Sequence, residues 1–236
     1  MTSTETAVQA GKRFVLAIDT CGPSGSVALG RIGAAGVAIL GQKELAGRSY
    51  SAMLVTAVGE LLNDAEARVG LLHAIVAVNG PGSFTGVRVG LSAVKGLAEP
   101  GGIPVVAVSR LEVLAAKAGT ESAALDAHRH EVFLRLGEAG AEPRELLAGR
   151  EELAALGTPA GQIAVCDEAA EQLLAEAWPD ARLVTGEAPT AADALLLAMP
   201  RIVAEKFEDL ALLDGHYLRR SDAEIFGEKA GAKQAQ

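Results

Sequence analysis

Apolar residues fall into two patterns along this chain. Short unbroken runs occupy residues 14–18, 74–78 and 103–108, each bounded by Gly, Pro or polar residues, which reads as a strand buried on both faces. Residues 26–30 and 37–40 follow the first run across the tight turn Cys21-Gly22-Pro23-Ser24-Gly25, so the chain opens as an antiparallel meander. Elsewhere the period lengthens to that of a helix. Leu54, Val58, Leu61 and Leu62 make one stripe over residues 51–63, with Met53, Ala57 and Glu60 beside it. From about Thr85 to Ala98 two stripes run side by side. One is Val87, Leu91, Val94 and Ala98; the other is Gly86, Gly90, Ala93 and Leu97, mostly small. Small residues let a second helix approach closely, so the doubled stripe predicts a helix packed on its own sheet and also against another helix.

The second half carries weaker signals. Ser109 with Glu112 predicts a helix opened by a capping box. Residues 123–126 and 131–136 predict a hairpin around His128-Arg129-His130. Residues 163–166 and 183–184 read as strands, and residues 169–177 as a helix. Thr190 and Asp193 cap a last helix that Pro200 ends or kinks. Residues 1–11 and 231–236 read as disordered ends. No segment repeats along the sequence. The expected organisation is a first subdomain over residues 1–108, a smaller second one over 109–200, and a C-terminal segment, 201–236, that packs back on the first.

Composition narrows the function. The chain has 236 residues, half of them hydrophobic but only 3% aromatic, so a large core must be built from Ala, Val, Leu and Ile. A formal net charge of −9 argues against a direct grip on nucleic acid, whose phosphates demand a basic surface. Cys21 and Cys166 are too far apart in sequence for metal-type spacing and suggest a reducing compartment. With no secretory h-region and no run long enough to span a bilayer, the expected location is the cytoplasm.

The motifs that suggest chemistry mostly fail on inspection. Gly80-x-Gly82-x-x-x-Gly86 follows a strand and opens a helix, but it is one residue longer than a dinucleotide fingerprint. The next strand ends in Ser109-Arg110, where an acid would be needed for a ribose and where Arg110 would suit only a 2′-phosphate. No Lys-Ser or Lys-Thr follows the turn, no G-x-S-x-G surrounds Ser83 or Ser24, and there is no H-E-x-x-H. Asp126, His128 and His130 alternate, which on a strand would gather them for a metal, but a polar hairpin turn at that point breaks the alternation. His73 and His216 have no evident partners. Asp19 ends the first strand and is expected to cap the turn after it; with Thr20 it is the weak candidate for a phosphate end.

Several segments taken together resemble the bacterial TsaB (YeaZ) family. They are Val15-Leu16-Ala17-Ile18-Asp19-Thr20 with Ser26-Val27-Ala28-Leu29, then Gly80-Pro81-Gly82-Ser83-Phe84-Thr85-Gly86-Val87-Arg88-Val89-Gly90, then Lys95-Gly96-Leu97-Ala98, Asp126-Ala127 with Glu131-Val132, and Tyr217-Leu218-Arg219. The resemblance implies an α/β, actin-like ATPase fold (the sugar kinase/Hsp70/actin type) with two subdomains, mixed β-sheets and a reduced second subdomain. It implies a non-catalytic scaffold or activator of a tRNA threonylcarbamoyltransferase complex. Its partners would be the paralogue TsaD, met through helices, and the ATPase TsaE; alone it would form a homodimer, and it would meet tRNA only indirectly. The partner surface would use Met53, Leu54, Ala57, Val58 and Leu61 on one helix and Val87, Gly90, Leu91, Ala93, Val94 and Leu97 on the other. No catalytic residue, metal or tightly bound cofactor is expected, with ATP or ADP only at a shared interface. The competing reading is an actin-like small-molecule kinase or ATPase that uses Asp19 and Thr20.

The departures from the family pattern bear on nucleotide. Cys166-Asp167-Glu168 stands where glycines flank an aspartate, and Gly215 where proline usually precedes Tyr217.

Overall fold

The computed structural model describes residues 13–34, 36–46, 50–138 and 140–219. The ends expected to be disordered lie outside them. The meander forms as expected: β1 (Arg13–Asp19), β2 (Gly25–Gly33) and β3 (Gly36–Leu45) pair antiparallel in sequence. α1 (Tyr50–Asp64) leads to β4 (Leu72–Val78), α2 (Phe84–Ala98) to β5 (Val105–Val108), and α3 (Arg110–Ala118) follows. β4 pairs parallel with both β1 and β5, so the first sheet runs β3-β2-β1-β4-β5. β1 and β4 are central and buried on both faces, which is why their sequences read as continuous apolar runs.

The second half repeats this plan. β6 (Ser122–Asp126), β7 (Val132–Leu136) and β8 (Arg144–Ala148) form an antiparallel meander. Then come α4 (Arg150–Leu156), β9 (Gln162–Val165), α5 (Glu168–Ala177), β10 (Arg182–Thr185) and α6 (Ala191–Val203). β9 pairs parallel with β6 and β10, giving the order β10-β9-β6-β7-β8. Both halves are therefore β-β-β-α-β-α-β-α with one connectivity, a repeat that the sequence does not carry. The repetition is of topology; the residues that build it differ.

The last helix of each half packs on the other half's sheet. α3 lies on β6, β7 and β9, while α6 lies across β1 to β5, and the two helices touch. Alternation on the strands shows the layering. Gly30 faces Leu195 of α6, whereas Gly41, opposite Leu29, faces Leu61 of α1. α1 and α6 thus cover opposite faces of the first sheet. On β6, Ala123 and Leu125 join Leu111 and Leu114 of α3, and Ala124 joins Leu174 and Trp178 on the other side. Trp178 satisfies its buried Nε1–H by donating to the Leu153 carbonyl at 2.9 Å.

The helix ends follow their sequence signals with one exception. Ser83 accepts from the Gly86 amide, and Thr190 with Asp193 forms a full capping box. Ser109 caps α3 by accepting from the Leu111 amide, but Glu112 does not close the expected box. It pairs with Arg201 of α6 instead. α6 continues past Pro200 for one short stretch to Val203.

Candidate functional site

Three features meet at the carboxyl ends of β1 and β4: the β1–β2 turn, the Gly-Pro-Gly turn, and the start of α3. The Asp19 side chain caps its turn as expected, accepting from the Cys21 amide at 2.8 Å. Its other oxygen lies 3.4 Å from Arg110 Nε, and the two side chains are only 2% and 7% exposed. Burial opposes the charge on Arg110, but neighbouring Asp19 outweighs it and holds the guanidinium protonated more firmly than usual. Thr20 is fully buried and donates its hydroxyl to the Gly86 carbonyl at 2.6 Å. Both candidate cofactor residues are thus engaged by this chain's own groups. Arg110, considered for a 2′-phosphate, is spent on Asp19. Burial first, and then Asp19, pushes the Cys21 thiol well above its ordinary range, so it is inert packing.

The Gly-Pro-Gly turn is fixed by close backbone approach. Ser83 N–H donates to the Cys21 carbonyl at 2.8 Å, and a Cβ at Gly82 would lie 2.9 Å from the Cys21 carbonyl carbon. A Cβ at Gly86 would overlap the Thr20 carbonyl, and one at Gly90 the Thr20 hydroxyl. The small stripe of α2 therefore admits the chain's own turn along its first half. This corrects the expectation that Gly90 faces a second helix.

The remaining candidate surface residues divide sharply. Leu54, Ala57, Val58 and Leu61 of α1 and Val87, Leu91 and Val94 of α2 are buried in the core of the first sheet. Met53 is 40% exposed, and Ala93 and Leu97 are half-buried. Two positions absent from the sequence expectation join them. Val55 is 72% exposed, and Val89 is half-buried in one row with Ala93 and Leu97, four residues apart each time. Val55 lay off the α1 stripe, and that displacement was the signal. At the start of α2, the Phe84 ring packs tilted at 42° against Tyr217, centroids 4.8 Å apart, and carries the Arg88 guanidinium 4.0 Å over its face.

A second polar cluster lines a cleft of about 570 Å³ where the C-terminal segment crosses between the halves. Glu145 of β8 accepts from Ser109 at 2.7 Å and Arg135 at 2.7 Å, and faces His216 Nε2 at 2.8 Å. Burial would raise this carboxyl, but the bonds from His216, Ser109 and Arg135 prevail and hold it below its ordinary value. His216 also donates its amide to the Asn79 carbonyl. It has partners after all, reached only through folding. At the hairpin, His128, Arg129 and His130 all have left-handed φ of 58° to 60°, which breaks the alternation with Asp126. Among the described residues no three His, Cys, Asp or Glu side chains gather in a way that could hold a metal ion. Among them, too, no helix is long and apolar enough to cross a membrane.

Comparison with known proteins bears on these features. A family model described as TsaD, tRNA N6-adenosine threonylcarbamoyltransferase, matches residues 39–144. The tRNA threonylcarbamoyladenosine biosynthesis protein TsaB of Bacillus subtilis is 42% identical over 93 residues, covering 38% of this chain and 41% of that protein. The protein of the same description from Escherichia coli is 33% identical over 125 residues, 50% of this chain and 52% of that protein. The chain spans about half the length of the curated relatives it matches. The solved structure of YeaZ from Pseudomonas aeruginosa superposes with a TM-score of 0.70 at 28% identity, covering 87% of this chain and all of that one. In sequence and in fold the chain is similar to proteins described as TsaB and YeaZ. Its two mixed sheets with flanking helices are the actin-like fold seen in the YeaZ structures. Asp19 and Arg110 are committed to each other, and Thr20 to the Gly86 carbonyl.

Proposed function

We propose that this chain is the non-catalytic partner subunit of a tRNA threonylcarbamoyl transfer complex. It would pair with a TsaD-type transferase, with a TsaE-type ATPase joining, and support addition of threonylcarbamoyl to the adenosine beside the anticodon. The observation that carries this reading is the similarity, in sequence and fold, to proteins described as TsaB and YeaZ. The site supports a scaffold over an enzyme, because among the described residues Asp19, Thr20 and Arg110 at the strand ends are all engaged by this chain's own groups.

The partner surface we propose is the outward side of α1 and α2. It comprises Met53 and Val55 on the first helix and Val89, Ala93 and Leu97 on the second, with the buried members of both stripes holding the helices in place. An apolar row on the outside of a protein this acidic favours association, so free chains would pair through it as homodimers and exchange for the transferase. The division into two subdomains near Ser109 belongs to the same reading, with α6 serving the first. Any tRNA contact would fall to the partners, given the net charge of −9. The test is size-exclusion chromatography of the chain with and without a TsaD-type protein. Co-elution as a stable heteromer supports the reading, and independent elution at micromolar concentration refutes it.

A further inference from the structure

We propose that Arg110 is a built-in occupant of the polyphosphate end of the cleft, so that this chain joins its two halves with its own ion pair and excludes magnesium nucleotides from that place. The inference goes beyond the assembly role and stands whether or not that role is correct. An actin-like fold implies a nucleotide held between its halves, at the carboxyl ends of the parallel strands, where open α/β sheets receive ligands. The residues present here do not fit one. Arg110 opens α3, the helix that packs on the second sheet, yet its side chain reaches Asp19 at the end of β1 in the first. Its backbone amide donates to the Gly80 carbonyl at 2.6 Å, fixing it against the Gly-Pro-Gly turn.

The guanidinium fills the space in front of the β1–β2 turn. A Cβ built on Gly22 would lie 2.8 Å from Arg110 Cζ, so the turn backbone and the guanidinium are in direct contact. A phosphate approaching the turn would meet Arg110 first, at a group already neutralised by Asp19. The other groups that a magnesium phosphate would use are also taken. Thr20 donates to Gly86, and the Asp167 carboxylate accepts from the Asp126 and Ala170 amides. The charge of Arg110 also acts on Cys166, beside the end of β9, which sets the guanidinium between the two halves.

A buried carboxylate requires a cation. Arg110 supplies it; without Arg110 the carboxylate either takes up a proton or accepts another cation, and magnesium brought in with a polyphosphate is one that fits. This gives a distinctive test. The full chain and its Arg110→Ser variant are titrated calorimetrically with magnesium–pyrophosphate and, separately, magnesium–ATP. The wild type should show no saturable binding up to millimolar ligand. Arg110→Ser should bind magnesium–pyrophosphate at least about tenfold more tightly, and the gain should vanish without magnesium or in the Asp19→Asn/Arg110→Ser double variant. Wild-type binding as tight as the variant's, or a folded variant with no gain, overturns the proposal. Should Arg110→Ser fail to fold, the wild type alone decides the matter by NMR. The Arg110 Nε–H signal should be protected from solvent exchange and unmoved by magnesium–ATP. A signal that shifts or loses protection on adding the nucleotide overturns the proposal as well.

Discussion

At Gly90 a side chain would have to enter the space of the Thr20 hydroxyl. Gly90→Leu should therefore destabilise the isolated chain, by about 1–3 kcal/mol from overpacking, whether or not a partner is present. The urea midpoint of the variant measures this. Unchanged stability with lost association would return Gly90 to an intermolecular surface. Glu145 makes a pH prediction. Its folded carboxyl titrates below the unfolded value, so its stabilisation is full above the unfolded pKa of about 4.3 and fades as pH falls through the folded one. Glu145→Gln should cost roughly 1.5–3 kcal/mol near neutral pH, the worth of hydrogen bonds to a charged group. The gap to wild type should close in acid. Parallel losses at every pH from 3 to 7, read by denaturant titration, would show that the ionised form carries no special weight. At this scale the caps at Ser109 and Thr190 were legible, because each acts within three residues of itself. The pairings of Asp19 with Arg110 and of Glu145 with His216 were not. They join positions 91 and 71 residues apart, and neither has a local signature.

Among the elements, the first half could be read from its pattern and the second only in part. β1, β4 and β5 are apolar runs because both their faces are covered, and α1 and α2 carry stripes over three or more turns. β8 and α4 were missed. β8, Arg144-Glu145-Leu146-Leu147-Ala148, has two charged residues in five and sits at a sheet edge, and α4 is seven residues long with one fully buried side chain, Leu153. Short, half-buried elements leave too few apolar positions to fix a period. The doubled stripe on α2 was real as a pattern but had two causes: close approach of the chain's own turn at Gly86 and Gly90, and a half-buried outer row at Val89, Ala93 and Leu97. The two causes predict different mutants. Ala93→Asp and Val55→Asp should leave the melting transition within about 0.5 kcal/mol of wild type, as surface changes do, and should weaken association with the transferase. Leu91→Asp should unfold the chain, since it buries an unpaired carboxylate. Circular dichroism and size-exclusion on the same samples separate these outcomes. A heteromer untouched by Ala93→Asp and Val55→Asp would move the partner surface off these helices.

The whole molecule is one supersecondary plan used twice, with the last helix of each half exchanged onto the other's sheet. That exchange, the Asp19–Arg110 pair, and the C-terminal segment running from Asn79 to Glu145 and Glu131 hold the halves together. The duplication was hidden because packing constrains only residue size and polarity, so Gly-Pro-Gly-Ser-Phe-Thr-Gly after β4 and Cys-Asp-Glu after β9 can occupy equivalent places without similarity. The most direct measurement is reconstituted threonylcarbamoylation, with nucleosides from the tRNA product read by mass spectrometry. The account predicts no modified adenosine when this chain is omitted, full modification with Ser83→Ala, Thr85→Val or His130→Ala, and loss with Ala93→Asp and Val55→Asp combined. Modification that proceeds without the chain, or that fails with the three polar substitutions while the charged variant works, would contradict it.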